Sequence, residues 1–185
     1  DLSGNPVFGD GLAALAEELE PAWISDHLCF TGLGGHSSHD LLPLVYTEAS
    51  LEHVVGRIRA VQRHLGRPLV LENPSSYIRF RGSTIDEWTF LARMASASGC
   101  GLLVDVNNVA VSAFNHGWDP ERDLQSLPAE HVVQIHLAGH SDLGTHRIDT
   151  HDGPVSEEVW RLYQSFYTRI GGAATLIEWD AELPT

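Results

Sequence analysis

Polar residues that can bind a metal ion or move a proton stand at the end of an apolar segment in the middle of the chain. Residues 101–104 are Gly-Leu-Leu-Val, and they are followed by Asp105, Val106, Asn107 and Asn108. Side chains two positions apart on a strand share a face, so a strand through this segment would direct Asp105 and Asn107 into the same space. A buried polar group costs roughly several kcal/mol unless a partner satisfies it. These groups therefore need a common partner.

Four other apolar segments, residues 22–25, 68–71, 132–135 and 174–177, have the same layout. They lead into Asp26, His27, Glu72, Asn73, His136, Glu178 and Asp180. Packing alone does not explain why every segment ends in His, Asp, Glu or Asn. A cluster of metal ions would satisfy all of these groups together.

The candidate metal ligands combine imidazoles, carboxylates and a carboxamide: His27, Glu72, Asp105, Asn107, His136, Asp149, His151 and Glu178. The set has no thiolate, so it favours iron, manganese or zinc over a structural zinc site built from cysteines. So many ligands predict two or three ions, with Glu72 or Glu178 as a bridge. Further side chains would orient the ligands or contact a substrate: Asn73, Asn108, His116 and His140.

Taken one at a time, these residues also allow simpler interpretations. His27 alone could be a core histidine bonded to a neighbour, and Asp149 with His151 could belong to a solvated loop. Glu72 and Glu178 are the hardest to explain by packing, because glutamate is almost never buried without a partner. Ser25 beside His27 does not have the arrangement of a catalytic triad.

Helical patterns alternate with the strands. We expect a first helix from Asp10 to Pro21, a second from Glu48 to Gly66, a third opened by a capping box at Thr84–Glu87, a short one from Asp119 to Leu127, and a last one from Ser156 to Ile170. Residues 31–46 and 112–118 read as loops. Cys29 and Cys100 lack a CxxC partner and are expected to be reduced and buried.

Strict alternation of helix and strand predicts a parallel sheet, and polar groups at every strand end favour a TIM barrel over a doubly wound sheet. A full barrel has eight strands, whereas we count five. We therefore predict an α/β fold in which residues 1–185 form a single domain, the C-terminal five βα units of a TIM (β/α)8 barrel that lacks its first strands.

The composition excludes two classes of partner. The net charge is −14, and only 11 residues are Lys or Arg, without a basic cluster, which argues against nucleic acid. No apolar run approaches the roughly 18 residues of a membrane span. We expect a cytoplasmic protein.

Several motifs together resemble the DUF692 family, the multinuclear non-haem iron-dependent oxidases. They are Ser25-Asp26-His27-Leu28, Leu71-Glu72-Asn73-Pro74-Ser75-Ser76-Tyr77, Asp105-Val106-Asn107-Asn108-Val109, Asn115-His116-Gly117, Ile135-His136-Leu137-Ala138-Gly139-His140, Asp149-Thr150-His151-Asp152 and Ile177-Glu178-Trp179-Asp180. The resemblance implies a TIM barrel that binds two or three irons and uses O2 to modify cysteine residues of ribosomally made precursor peptides. Its best-known members, the methanobactin and 3-thiaglutamate pathway enzymes, work with a partner protein that presents the peptide.

The resemblance also assigns roles to residues of this chain. It implies that the inner irons are held by His27, Glu72, Asp105, His136 and Glu178. It implies that Asn107, Asp149 and His151 surround a third, more weakly held iron. The family's barrel begins with further strands that supply at least one more histidine, and these are not in this sequence.

Two other functions fit the same residues. A divalent-metal sugar isomerase or phosphoesterase of the xylose isomerase or endonuclease IV type also gathers His, Asp and Glu at its strand ends. A non-catalytic metal-binding or peptide-chaperoning module would fit an incomplete barrel. Bound iron with oxygen uptake would distinguish the oxidase from both.

Overall fold

The computed structural model describes residues 6–183, in which parallel strands alternate with helices. The strands are β1 (Ile24–His27), β2 (Phe30–Leu33), β3 (His36–Leu42), β4 (Leu69–Glu72), β5 (Gly101–Asp105), β6 (Val132–Ala138), β7 (Ser141–Asp142), β8 (Arg147–Ile148) and β9 (Ala174–Glu178). The helices are α1 (Pro6–Leu19), α2 (Glu48–Leu65), α3 (Glu87–Ser98), α4 (Val106–His116), α5 (Pro120–Ser126) and α6 (Glu157–Ile170), with a 3-10 turn at Ala129–His131.

The central sheet has five strands in the order β1-β4-β5-β6-β9, and all neighbouring strands are parallel. The register aligns the polar strand ends. His27 lies opposite Glu72, and Asp105 lies opposite His136. This part-barrel confirms the predicted architecture, and it collects the polar residues at one edge of the sheet.

The apolar core fills the space between the sheet and its helices. All residues of β4 and β5 are buried, which explains why these strands are almost continuously apolar. Phe90 and Met94 of α3 and Phe166 of α6 are among the largest fully buried side chains. At one edge of the described sheet, β9 leaves Leu176 and Ile177 about half exposed.

Most of the predicted helix ends are confirmed. Thr47 forms a capping box with Ser50 at the start of α2, and Gly66 ends that helix in the left-handed region at φ +65°. Helix α6 starts after its cap Ser156. The predicted capping box at Thr84–Glu87 is wrong, because the side chain of Asp86 caps α3 by accepting from the backbone N–H of Thr89.

The predicted loops contain regular structure. Residues 31–46 were expected to be irregular, but β2 and β3 form an antiparallel hairpin there. The segment after Asp105 is helix α4 and not an extension of the strand, so the prediction that Asp105 and Asn107 share a strand face is wrong. Helix α4 continues to His116, so the loop predicted at residues 112–118 is also wrong for most of its length. Asp105 itself caps this helix, which turns the chain immediately at the strand end.

The first helix also differs from its prediction. It begins at Pro6, earlier than the expected start at Asp10, and it packs mainly on α2. The apolar side chains of Leu15 and Leu19 are exposed, whereas Ala16 is buried.

The remaining expectations concern cysteines and membranes. Both cysteines are free, and Cys100 is buried as predicted, whereas Cys29 is half-buried. Within residues 6–183, every helix is too short or too polar to cross a membrane.

Candidate metal centre

Four strands bring one ligand-type side chain each to a single place. Glu72 of β4, Asp105 of β5, His136 of β6 and Glu178 of β9 offer ligand atoms that all lie within 4.8 Å of one another. The first three residues are buried, with Asp105 completely inaccessible to solvent. This group could hold a metal ion.

The two glutamates each lie between two imidazoles. Glu72 places Oε2 3.4 Å from His27 Nε2 and Oε1 3.2 Å from His136 Nδ1. Glu178 places Oε1 3.2 Å from the same His136 nitrogen and Oε2 3.4 Å from His151 Nδ1. The result is an alternating row of imidazole and carboxylate groups that runs from His27 to His151.

A second, smaller network continues from this row. His151 Nε2 lies 2.8 Å from Asp149 Oδ1, and Asn107 donates to the same oxygen at 2.7 Å. His140 Nδ1 in turn donates to Asn107 Oδ1 at 2.7 Å. All eight predicted ligands therefore lie in one connected region, with Asp105 and His136 at its buried base and His27 at its exposed end.

His151 reaches its position through an unusual backbone conformation. Its φ is +50°, in the left-handed region that residues other than glycine rarely adopt. Its N–H donates to the carbonyl of Gly139 at 3.1 Å, and its carbonyl accepts from the N–H of Asp180 at 2.8 Å. Gly139 is required because a Cβ there would collide with the carbonyl oxygen of Gly153. These contacts hold the loop with His151 against β6.

The two predicted supporting asparagines fix Asp105. Asn73 donates to the Asp105 carbonyl at 3.1 Å and accepts from the Asp105 N–H at 3.0 Å. Asn108 donates its side-chain amide to the Asn73 carbonyl at 3.0 Å, and its backbone N–H donates to Asp105 Oδ1 at 2.7 Å. One carboxylate oxygen of Asp105 is thus used as a helix cap, whereas Oδ2 is buried without a hydrogen-bond partner.

Residues outside the predicted ligands and their predicted supporting side chains also contact the centre. Trp23 Nε1 donates to Gln134 Oε1 at 2.7 Å, which orients the amide so that Gln134 Nε2 lies 3.0 Å from His136 Nε2. Asp180 Oδ2 lies 3.3 Å from His151 Nδ1. Both Trp23 and Gln134 look like ordinary strand-region residues, so only the three-dimensional contacts reveal them.

Two predicted supporting histidines have different neighbours. His140 belongs to the network through Asn107, as described above. His116 instead lies with its Nε2 2.6 Å from the Ser76 hydroxyl, at the end of α4. Ser76 is adjacent to Ser75, whose hydroxyl donates to Asp149 Oδ2 at 3.3 Å. His116 therefore supports the loop beside the centre and does not face the ligand group.

The carboxylates control the protonation of the imidazoles. Burial lowers the pKa of His136, but its contacts with Glu178 and Glu72 outweigh this effect and raise the pKa to about 10. The contact with Asp149 raises the pKa of His151 to about 9, against a smaller effect of burial. Without a metal ion, protons compensate the negative charge of the row.

The pKa values of two carboxylates in the centre shift in opposite directions. Burial raises the pKa of Asp105 to about 7, since its backbone hydrogen bond from Asn108 only partly offsets the loss of solvent. The contact with His136 lowers the pKa of Glu178. Of these two residues, Asp105 is the one whose ionised form would be stabilised more by a nearby positive charge.

The donor set fits a metal ion. Asp105 Oδ2, His136 Nδ1 and His151 Nε2 are buried and have no partner in hydrogen-bond geometry, although carboxylate oxygens lie within 3.2 Å of both imidazole nitrogens. Close oxygen and nitrogen ligands that are not aimed at one another suit an ion between them. The mixture of imidazole and carboxylate is that preferred by iron, manganese or zinc.

Comparison with known proteins identifies the family. Residues 6–185 match the family model described as "RiPP precursor modification enzyme MbnB/TglH/ChrH". The chain belongs to this family. The resemblance predicted from the sequence motifs is therefore confirmed. The MbnB/TglH/ChrH family comprises enzymes that act on precursors of ribosomally synthesised, modified peptides.

Relatives in several bacteria carry only the name UPF0276 protein. The one from Anaeromyxobacter sp. (strain Fw109-5) is 56% identical over 173 residues, which cover 94% of this chain and 61% of the relative. The one from Caulobacter vibrioides (strain NA1000 / CB15N) is 50% identical over 173 residues, covering 94% of this chain and 62% of the relative. The chain therefore spans slightly more than three fifths of these relatives.

Solved structures of other enzymes share the fold. A xylose isomerase domain containing protein from Salmonella typhimurium LT2 aligns with a TM-score of 0.59 at 14% identity, covering 94% of this chain and 60% of that one. The 3-keto-D-glucoside 4-epimerase of Escherichia coli aligns with a TM-score of 0.57 at 12% identity, covering 94% and 62%. These similarities confirm the TIM-barrel class and, at such low identity, carry no conclusion about the reaction.

Proposed function

We propose that the chain forms the metal-binding part of an iron-dependent oxidase that uses O2 to modify cysteine residues of a ribosomally made precursor peptide. The observation that supports this most directly is the row of alternating imidazoles and carboxylates, in a member of a peptide-modifying family. The same proposal treats residues 1–185 as the last five βα units of a single barrel domain.

In this proposal, the inner irons are held by His27, Glu72, Asp105, His136 and Glu178. Ligand atoms of an octahedral ion at about 2.1 Å lie about 3 to 4.2 Å apart. The four-residue group, within 4.8 Å, needs only a small contraction to reach such distances. Glu72 and Glu178 have the position of bridges, because each directs its two oxygens toward different imidazoles.

The third iron is assigned to the smaller network of Asn107, Asp149 and His151. We expect this iron to be bound more weakly, because Asn107 contributes a neutral carboxamide and already forms hydrogen bonds with Asp149 and His140. Hard, charged carboxylates bind such cations more strongly than amides. The third site is thus the first that we expect to lose its ion.

Bound iron would supply the redox chemistry by binding the substrate thiolate and activating O2. The chain's residues supply geometry. Trp23 and Gln134 orient the ring of His136, and Asn73 with Asn108 fixes the backbone of Asp105. The buried residues Asp105 and His136 exclude water from one side of the centre.

The predicted ligands differ in their exposure to solvent. The side chain of His27 is 42% exposed and that of Glu178 is 29% exposed, whereas Glu72 and His136 are each 9% exposed. His27 lies on β1 and Glu178 on β9, the two edge strands of the described sheet, and this edge position accounts for their greater exposure. The resemblance also supports a partner protein that presents the peptide.

Oxygen consumption tests this function. The iron-loaded chain is mixed with a candidate precursor peptide and with a matched peptide in which serine replaces each cysteine. The longer Anaeromyxobacter relative serves as a parallel sample. We expect oxygen uptake with the cysteine peptide only, together with a mass change of that peptide. Equal uptake with both peptides, or no mass change, would contradict the proposal.

The metal itself distinguishes the alternative sugar isomerase or phosphoesterase. Those reactions need zinc, manganese or magnesium and consume no oxygen. Activity that persists in the zinc- or manganese-loaded chain without oxygen would favour them. The fold similarity to sugar-acting enzymes does not, because it rests on 12–14% identity.

A further inference from the structure

The loop that follows β4 contacts both parts of the metal centre. At its start, Asn73 fixes the backbone of Asp105, which belongs to the inner ligand group. Farther along the same loop, Ser75 and Tyr77 contact Asp149 of the smaller network. One short loop therefore reaches the inner ligands and also the residues assigned to the third iron.

Three hydrogen bonds close a ring between this loop and Asp149. The Asp149 N–H donates to the phenolic oxygen of Tyr77 at 3.1 Å. The Ser75 hydroxyl oxygen lies 3.1 Å from the same phenolic oxygen and 3.3 Å from Asp149 Oδ2. A hydroxyl has one proton and a carboxylate oxygen only accepts, so the Ser75 proton goes to Asp149. The Tyr77 hydroxyl then donates to Ser75, and each of the three residues donates once and accepts once.

This ring of hydrogen bonds holds Asp149 at two points. It fixes the backbone through the N–H and the carboxylate through Oδ2. The other carboxylate oxygen, Oδ1, lies 2.7 Å from the Asn107 amide and 2.8 Å from His151 Nε2. By holding the backbone and one oxygen, the loop keeps the second oxygen beside the other two residues assigned to the third iron.

The loop is anchored to α4 independently of the ring. The Ser76 N–H donates to the hydroxyl of Ser112 at 2.9 Å, and Ser76 Oγ lies 2.6 Å from His116 Nε2. Both partners belong to α4. Opening the ring should therefore leave the loop in place and change only how it holds Asp149.

Packing does not explain the hydroxyl of Tyr77. Ser75 is only 9% exposed, so its hydroxyl needs a partner within the chain. Tyr77 is 40% exposed and could direct its hydroxyl to water, yet it accepts from the backbone of Asp149. Because the ring of Tyr77 is not part of the core, the loss of its hydroxyl would leave no buried cavity.

We propose that Ser75 and Tyr77 are positioning residues for the third iron, because their hydroxyls hold Asp149 where it can bind the ion. The inference rests on the proposed function for the identity of that ion. Neither hydroxyl is a ligand, since both act through Asp149. The ring should affect the third site and leave the inner ligand group, which Asn73 supports, unchanged.

A chelator titration of the iron(II)-loaded chain under nitrogen tests this role. Tyr77→Phe opens the ring, and Tyr167→Phe is the matched control because Tyr167, on α6, is also 40% exposed. Loss of a contact that orients a ligand commonly weakens metal affinity by about tenfold or more. The most weakly held iron should therefore leave Tyr77→Phe at about tenfold lower chelator concentration than the control, while the remaining iron is released as in the control.

Mössbauer spectra show whether one iron alone is affected. At a chelator concentration that removes the weakest iron only from Tyr77→Phe, one iron signal of the control should be missing and the other signals unchanged. Three results would overturn the inference: equal release from Tyr77→Phe and Tyr167→Phe, equal weakening of every iron in Tyr77→Phe, or a parent chain without a weakly held iron.

A double variant tests whether the two hydroxyls act as one ring. Ser75→Ala should weaken the same iron as Tyr77→Phe, and the double variant should be weakened little more than either, because each change opens the same ring. Losses that multiply would contradict the ring. These titrations use neither a peptide nor O2, so a failed oxygen assay, which would contradict the proposed function, leaves their outcome intact.

Discussion

The chain has two clusters of buried acids, and they are compensated in different ways. In the metal centre, Glu72 and Glu178 alternate with imidazoles at 3.2–3.4 Å. At the start of α3 and in α5, Glu87 and Asp123 lie beside Tyr46 and Trp88, which can donate a hydrogen bond, and Arg122 adds a positive charge beside Asp123. The two clusters lie close together, yet different kinds of neighbour compensate their buried charge.

The difference separates a cluster that could bind a metal ion from one whose acids have neutral donors and an arginine of the chain as neighbours. Imidazole nitrogens among carboxylates are themselves ligands, so the centre suits a metal ion. Glu87 and Asp123 instead have a tyrosine hydroxyl, an indole N–H and the guanidinium of Arg122 as neighbours, which supply hydrogen bonds and charge from within the chain. The same type of residue thus leads to different chemistry because its neighbours differ.

The largest expected effect is the loss of the bridging carboxylate in the centre. Glu72→Gln replaces a charged oxygen between His27 and His136 with a neutral amide, so iron content and oxygen consumption should be lost together. Metal analysis and an oxygen electrode measure both. Glu48→Gln is the matched control, since Glu48 pairs with Arg93 at the surface. An iron-replete and fully active Glu72→Gln protein would contradict the bridging role.

The next effect concerns Glu87 and appears as a pH dependence of the free energy of unfolding. The folded-state pKa of Glu87, about 8, is above its ordinary value of 4.5. Its neutral form therefore adds stability that is complete below pH 4.5 and is lost as pH rises through 8. The slope of this loss is at most about 1.4 kcal/mol per pH unit.

The glutamine of Glu87→Gln cannot ionise. The free energy of unfolding of this variant minus that of the parent chain should therefore be larger at pH 9 than at pH 5. Urea unfolding at both pH values measures this change. The same difference in the free energy of unfolding at pH 5 and pH 9 would mean that Glu87 is not a buried neutral acid.

A smaller effect is expected from residues that only orient a ligand. Trp23→Phe removes the donor that fixes Gln134 and, through it, the ring of His136. Loss of such supporting contacts commonly weakens metal affinity by about tenfold or more. A competition titration with a chelator measures this, and Trp160→Phe at an exposed position of α6 is the control. Equal metal affinity of the two variants would show that the contact of Trp23 with Gln134 does not affect metal binding.

Much of the centre was predictable because of a simple rule of architecture. Parallel strands place their carboxyl ends at one edge, so polar residues after apolar runs must meet there. Glu72, Asp105, His136 and Glu178 follow this rule, and they do converge. It also predicted the part-barrel, since alternation of helix and strand leaves few other arrangements.

Other features depend on local geometry that the sequence does not display. Asn107 lies near the centre because α4 starts directly after Asp105, and not because it shares a strand face. His151 needs a left-handed backbone that a histidine rarely adopts. Glu87 looks like a normal acid in the first turn of a helix, and only its burial separates it from such residues.

Anomalous diffraction at the iron edge, from crystals of the iron-loaded chain, tests the central claim most directly. We expect a peak between Glu72, Asp105, His136 and Glu178, with ligand atoms about 2.0–2.3 Å from the ion, as for other first-row metals. A further peak should lie beside His151. Iron peaks confined to other parts of the molecule, with these four side chains unchanged in position, would contradict the account.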